Sequence, residues 1–578
     1  MTFTTTRKGW AMDFNRRTLL GATAAAASMS AAGARAEVVP AARPNIVVIL
    51  ADDQGFSDWG CFGSEIPTPN IDALAAGGLS FTNFFVTPRC SPSRAALLTG
   101  AWPHQAGMGH LSQVPIQGSQ GIAGKLLDRV VTFAELLRGQ GYFTAMAGKW
   151  HLGIESGTGP DVRGFDRSIA SPQGRVYFPD QEGGAVSNHQ IFLDGKQYDI
   201  SDPAIGNGKW YSTDLFVDYS IKYIKEAREQ KKPFVLYLPF VAAHNPLMAP
   251  AEDIARFKGK YMSGWDVMRE ARFERQKKLG IIAPDQRLPP REPNTYNWDK
   301  LTAKQRDDFD TMMAIYAAII SRMDRAIGRL MSELKSLGIL DNTLVMLTSD
   351  NGANAEVGPD GILTGDHPGD PKSSVAAGME WATLSNTPFR YFKHFAGEGG
   401  IANPLIVRWP KGIDPSLNGT HVKGMSHLVD VMATLLEVTG TQYPKTFKGH
   451  ELVPLQGRSF ASTFRGRALP SRPTPLYFEH EGHRAIRTEQ WKLVQNWGQP
   501  WALYDVATDR SETIDLVNVK PQLAFEMAAQ WNSWASSTFV DPWSVAYNQR
   551  VFRDIRRQNW GEDQTPKIPE AIDTVLKW

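Results

Sequence analysis

The chain is predicted to be an α/β protein: a large, mostly parallel or mixed sheet flanked by helices on both faces, followed by a smaller C-terminal domain of a four-stranded antiparallel sheet plus a helix. Three observations predict it. Short apolar runs end in polar residues of catalytic type, helical segments separate them, and beyond about residue 460 the pattern changes to short alternating segments. Ile46 to Ala51 runs into Asp52-Asp53, and Tyr142 to Ala147 into Gly148-Lys149-Trp150-His151. Phe234 to Leu238 leads through Pro239 to Ala242-Ala243-His244, and Leu344 to Leu347 leads into Ser349-Asp350-Asn351-Gly352. Continuous apolar runs of this length suit strands buried on both faces. In open α/β sheets the ligand sits beyond the carboxyl ends of the strands, where these polar residues gather.

The intervening helices are readable. Thr68 caps a short one with Pro69 at its first position and Gly77 near its end. A long one follows from Met312, Tyr316, Ile319, Met323, Ile327, Leu330 and Leu334, which recur every three or four residues until Gly338 closes the run. Residues 251 to 300 form a charged, proline-bearing insertion, expected near the active-site rim, with a helix around Met268 to Leu279. The final segments, Leu476 to His480, His483 to Arg487, Trp491 to Asn496 and Trp501 to Asp505, read as an antiparallel meander covered by a helix from Pro521 to Trp534. The expected organisation is a leader over 1–36, a catalytic domain over 37–460 and a C-terminal subdomain over 461–578.

With 578 residues, 42% hydrophobic and 21% charged, the composition is that of a globular protein with a large core, and the net charge of +2 offers no electrostatic case for nucleic acid. Asn15-Arg16-Arg17-Thr18-Leu19-Leu20, a mild apolar stretch and Ala34-Arg35-Ala36 resemble a twin-arginine export signal. The mature chain is then expected to begin near Glu37, after passage through the twin-arginine machinery to the periplasm or beyond, with Met1 or Met12 as the start. No later stretch is apolar for long enough to predict a membrane span. Cys61 and Cys90 are the only cysteines, too few for a disulfide framework.

Cys90 opens Cys90-Ser91-Pro92-Ser93-Arg94-Ala95-Ala96-Leu97-Leu98-Thr99-Gly100. Alone, such a cysteine is most often a small buried apolar residue. A tyrosine-phosphatase thiolate loop fails on spacing, because it needs arginine where this chain has Ala96. The run, with Pro92 and Arg94 in place, resembles the signature of the type I sulfatases, within the alkaline phosphatase-like superfamily. The resemblance implies that a maturase oxidises Cys90 to formylglycine (3-oxoalanine). The hydrated aldehyde carries two hydroxyls, so one attacks sulfur and deprotonation of the other later expels sulfate.

A tetrahedral sulfate also needs positive charge at its oxygens, a metal, and an acid for the leaving alcohol. Asp52, Asp53, Asp350 and Asn351 are hard oxygen donors that suit Ca2+ or Mg2+. The resemblance implies that they bind calcium together with residue 90. It further implies that Arg94 and Lys149 hold the hydrated aldehyde and the sulfate, that His151 takes a proton, and that His244 and Lys393 steady the sulfate and protonate the departing oxygen. Lys393 has His394 beside it, and spacing alone leaves open which of the two faces the sulfate. The likeness, closest to bacterial arylsulfatases, runs from about Pro44 to Leu516. The function it implies is hydrolysis of a small-molecule or sugar sulfate ester. Rival readings are a phosphoester or phosphonate monoester hydrolase, and a non-catalytic protein that binds sulfated glycan.

Overall fold

The structure, a computed structural model, describes residues 43–182, 189–292 and 295–543; the expected leader lies outside them. The large sheet contains β1 (Asn45–Ala51), β2 (Leu79–Phe85), β3 (Phe143–Lys149), β4 (Arg167–Ser171), β5 (Gln190–Leu193), β6 (Lys196–Asp199), β7 (Phe234–Pro239) and β8 (Thr343–Ser349). Its order is Thr420–Val422, β2, Ala402–Arg408, β8, β1, β7, β3, β4, β5, β6, with Ser426–His427 pairing beside β2.

The four apolar runs are β1, β3, β7 and β8, and they occupy consecutive central places as β8-β1-β7-β3, all parallel. β3, β7 and β8 are buried along their whole length and β1 from its second residue, which is why their sequences show no polar alternation. Ala402–Arg408 runs antiparallel to both β2 and β8, making the sheet mixed.

The long helix spans Ala303–Ser336, beginning earlier than its apolar stripe predicts. Its first turns, Ala303 to Asp308, are mostly polar, and a capping box between Thr302 and Gln305 starts it instead. Thr68 does precede the helix Pro69–Ala76, but its hydroxyl serves elsewhere, accepting from Gly60 N–H at 2.7 Å. The first-turn N–H groups of Asn70 and Ile71 donate to Asp324 of the long helix at 3.0 and 2.8 Å, tying the two helices together.

Within 251–300, the helix Trp265–Lys278 sends Arg272 to Asp58 at 3.0 Å and Glu65 at 2.8 Å, in the segment that follows β1. At the other end of the chain, Leu476–His480, His483–Arg487, Trp491–Gln495 and Ala502–Asp505 form the antiparallel meander. The helix Pro521–Ser537 packs on it, with Trp531 Nε1 donating to Phe478 O at 3.0 Å. A buried charge network joins this sheet to the large one: Glu398 meets Arg487 at 3.1 Å, Lys492 at 3.3 Å and Arg510 at 3.0 Å. Among the described residues, no helix is long and apolar enough to cross a membrane.

Candidate active site

Cys90 is the first residue of a helix, Cys90–Thr99, that is buried at every position. Arg94 lies one turn on, on the same face. Its guanidinium donates to Asp350 Oδ2 through Nε at 3.1 Å and Nη2 at 2.8 Å, and to Lys149 O through Nη1 at 2.8 Å. The Cys90 helix is thereby tied to the ends of β8 and β3.

The other side chains arrive from strand ends, except Lys393, which comes from the loop between the helices Met379–Ser385 and Glu398–Ile401. Lys149 Nζ lies 2.6 Å from Asp52 Oδ2, and Lys393 Nζ lies 2.8 Å from Asp53 Oδ1. Asn351 Nδ2 donates to Asp53 Oδ1 at 2.7 Å, and Lys393 approaches His244 Nε2 at 3.4 Å. Ligand atoms of Asp52, Asp53, Cys90 and His244 all lie within 4.8 Å of one another. His151 Nε2 donates to Gln113 Oε1 at 3.0 Å, while its Nδ1 is buried without a partner. All ten residues singled out in the sequence therefore converge at one end of the sheet; of the neighbours Lys393 and His394, Lys393 meets Asp53 there and His394 turns to Glu481 at 3.0 Å.

Two glycines make the packing possible. A Cβ on Gly148, whose φ is +142°, would sit 1.8 Å from Pro239 O, and one on Gly352 would sit 1.9 Å from Gly399 O. The Gly-Lys-Trp-His and Asp-Asn-Gly patterns owe their glycines to these close approaches.

Burial, and then Asp350, push Asp52 up to about 7. Burial opposes the charge on Asp53, but Lys393 and Lys149 hold its carboxyl below the ordinary range. Burial pushes the Cys90 thiol up to about 11, so an ordinary thiolate is disfavoured there. Burial, reinforced by Lys149, keeps both His151 and His244 well below the usual imidazole range and neutral. His244 Nδ1 lies 2.6 Å from Asn245 O, which places its proton on Nδ1 and leaves Nε2 to accept from Lys393.

The site fits a hard divalent cation. Asp52 Oδ1 and Asn351 Oδ1 are buried without any hydrogen-bond partner, and two hard oxygens left bare beside the Asp53 carboxylate are donors such an ion would take.

Several members were not read from sequence. Asn354 donates to Asp53 Oδ2 at 2.8 Å, Glu356 lies 3.4 Å from Lys393, and Arg89 pairs with Glu356. Gln113 holds His151 from a loop, and the exposed Arg175 adds positive charge felt by both His151 and His244. Asn354 and Glu356 follow Asp350-Asn351-Gly352 closely, a proximity that offered a signal; Gln113 and Arg175 had none.

A family profile described as Sulfatase matches residues 44–441, and one described as N-sulphoglucosamine sulphohydrolase, C-terminal, matches 389–531. An arylsulfatase of Klebsiella aerogenes is 36% identical, over 76% of this chain and 96% of that protein. An uncharacterized sulfatase of Schizosaccharomyces pombe is 34% identical, over 86% of this chain and 94% of its own length. The crystal structure of Ps i-CgsB in complex with k-i-k-neocarrahexaose shares the fold with a TM-score of 0.65 and 26% identity, covering 89% of this chain and all of that one. With the Cys90 helix, the paired carboxylates and the basic side chains gathered at one sheet end, these likenesses make the chain a member of the sulfatase family and an enzyme that hydrolyses sulfate esters.

Proposed function

We propose that the chain hydrolyses aryl sulfate monoesters with Cys90 in the formylglycine form and calcium held by Asp52, Asp53, Asp350 and Asn351, next to residue 90. The observation that carries this reading is the placement of Cys90 at a buried helix start, its sulfur within 4.8 Å of carboxylate and imidazole ligand atoms. The likeness to the Klebsiella arylsulfatase supports the aryl substrate.

Formylglycine supplies a hydrated aldehyde, and so a nucleophile that can release sulfate without a second attack at sulfur. Calcium supplies positive charge that polarises a sulfate oxygen. The protein's own side chains do the rest. Four carboxyls, Asp52, Asp53, Asp350 and Glu356, face four cations, Arg94, Lys149, Lys393 and Arg89, and Asp52 is pushed up to about 7, so the carboxylates do not outweigh the cations. A divalent cation therefore makes the pocket net positive, the sign a sulfate monoester requires. Arg94 and Lys149 orient the nucleophile and the sulfate oxygens. Neutral His151 accepts the proton whose removal frees sulfate. Asp53 and Glu356 keep the buried Lys393 charged, and the Lys393–His244 pair delivers a proton to the departing oxygen.

The test is the mass of the proteolytic peptide carrying residue 90, with an aldehyde-reactive hydrazide as a check, beside turnover of matched aryl sulfate, phosphate and phosphonate esters. Formylglycine with preferred sulfate turnover is the expected result. Active protein with unmodified cysteine, or a preference for the phosphorus esters, overturns the reading. The same proposal includes a formylglycine-generating maturase and twin-arginine export to the periplasm or outside the cell. N-terminal sequencing of exported protein should then begin near Glu37.

A further inference from the structure

Behind Lys393 lies a buried cluster that the mechanism above does not use. Glu481, at the tip between the first two strands of the C-terminal meander, directs Oε2 to His394 Nε2 at 3.0 Å and Oε1 to His110 Nε2 at 2.8 Å. Leu111 N–H donates to His110 Nδ1 at 2.7 Å, so His110 carries its proton on Nε2 and donates to Glu481. His480 packs between, 4.9 Å from the His110 ring and 5.3 Å from the His394 ring by centroid, and makes no hydrogen bond through either nitrogen.

The two partners sit in strained backbone: φ is +89° at His394 and +49° at Glu481. Such a conformation costs about 1–3 kcal/mol per residue and persists only where the surroundings enforce it. His394 N–H also donates to Pro88 O at 2.8 Å, just before the nucleophile helix, while Lys393 N–H donates to Ala353 O at 3.0 Å in the loop after β8. The Lys393–His394 turn is thus fastened at its backbone by two active-site loops and at its side chain by the C-terminal sheet.

We infer that Glu481 is a positioning residue for sulfate-ester cleavage, acting through His394 to hold the Lys393 ammonium on Asp53 and His244. The C-terminal sheet is then part of the catalytic apparatus. The inference deepens the proposed role of Lys393 as proton source and rests on it.

The test compares Glu481→Gln, His394→Ala and His394→Gln on nitrophenyl sulfate and on an alkyl sulfate, in full-length matured enzyme. Glutamine at 481 offers one amide donor where two imidazole N–H groups need acceptors. Its kcat should fall about 10–100-fold on the alkyl sulfate, far less on nitrophenyl sulfate, with KM little changed. His394→Ala should do the same, and His394→Gln, which keeps a donor near the Nε2 position, should recover most of the loss. The double variant Glu481→Gln/His394→Ala should be no worse than either single one. Equal losses on both substrates, additive losses, or stoichiometric Zn2+ in the wild type that Glu481→Gln releases would each overturn the inference. If Glu481→Gln does not fold, the His394 pair still decides. Lys393→Ala separates the two readings: without leaving-group dependence it sinks the proton-source role, whereas dependence there but not in the Glu481 and His394 variants sinks only the positioning role.

Discussion

Arg94 grips a single oxygen of Asp350, Oδ2, with both Nε and Nη2, at 3.1 and 2.8 Å, in full burial. A lysine at this position would supply charge without the planar fork. Arg94→Lys should therefore lower kcat/KM about 10²–10³-fold, the size of losing one charge-stabilising donor, and weaken calcium binding by disordering Asp350. Steady-state kinetics with a calcium titration measures both, and a variant of near-native rate would show that the fork is dispensable.

His244 reaches Lys393 at 3.4 Å with an unprotonated Nε2. Removing it should cost alkyl sulfates roughly ten times more than nitrophenyl sulfates, because a good leaving group needs no proton. A Brønsted plot across phenols of graded acidity reads this directly. An unchanged slope would assign His244 to sulfate binding alone.

Chelation should silence the enzyme and also soften it. Asp52, Asp53 and Asp350 are buried together, and a cation that binds only the folded form adds about 2.7 kcal/mol at one hundred times its Kd. Melting temperature should rise with added calcium and plateau, and activity should return over the same range. Asp350→Ala should remove both responses.

Glu398 predicts an acid limb. Burial opposes its charge, yet Arg487, Lys492 and Arg510 hold the carboxyl down to about 2 from an ordinary 4.5. A depressed pKa means that the folded state binds the proton less readily than the unfolded chain. The stabilisation is whole above pH 4.5 and drains away as pH falls toward 2. Glu398→Gln should cost about 3–5 kcal/mol at neutral pH, because three cations lose a buried partner, and its melting temperature should vary less with pH across that window. Parallel melting curves for the variant and the parent below pH 4.5 would refute the assignment.

What the sequence disclosed followed the range of the interactions involved. A strand buried on both faces writes its burial locally, so β1, β3, β7 and β8 were legible, and so were the polar residues at their ends. The meander's alternation was legible for the same reason. β2 was not, because Ser80, Thr82 and Asn83 interrupt its apolar run although it is almost wholly buried. Ala402–Arg408 carries Pro404, which argues against a central strand; the register shifts between Asn403 and Leu405, and the proline occupies that irregularity. The Arg89–Glu356–Lys393 chain and the Glu481 cluster depend on which distant loops meet, and no local pattern encodes that.

Cys90 is 1% exposed, and its helix is fixed by partners as far along the chain as Asp350. During synthesis the first ninety-odd residues leave the ribosome long before those partners exist. Any catalyst that must close around an extended segment containing Cys90 has an interval that opens with translation of this segment and shuts when β8 joins the sheet. On the proposed formylglycine reading, folding is thus a competing reaction, and slower assembly of the central strands should raise the fraction of chains in which residue 90 is converted.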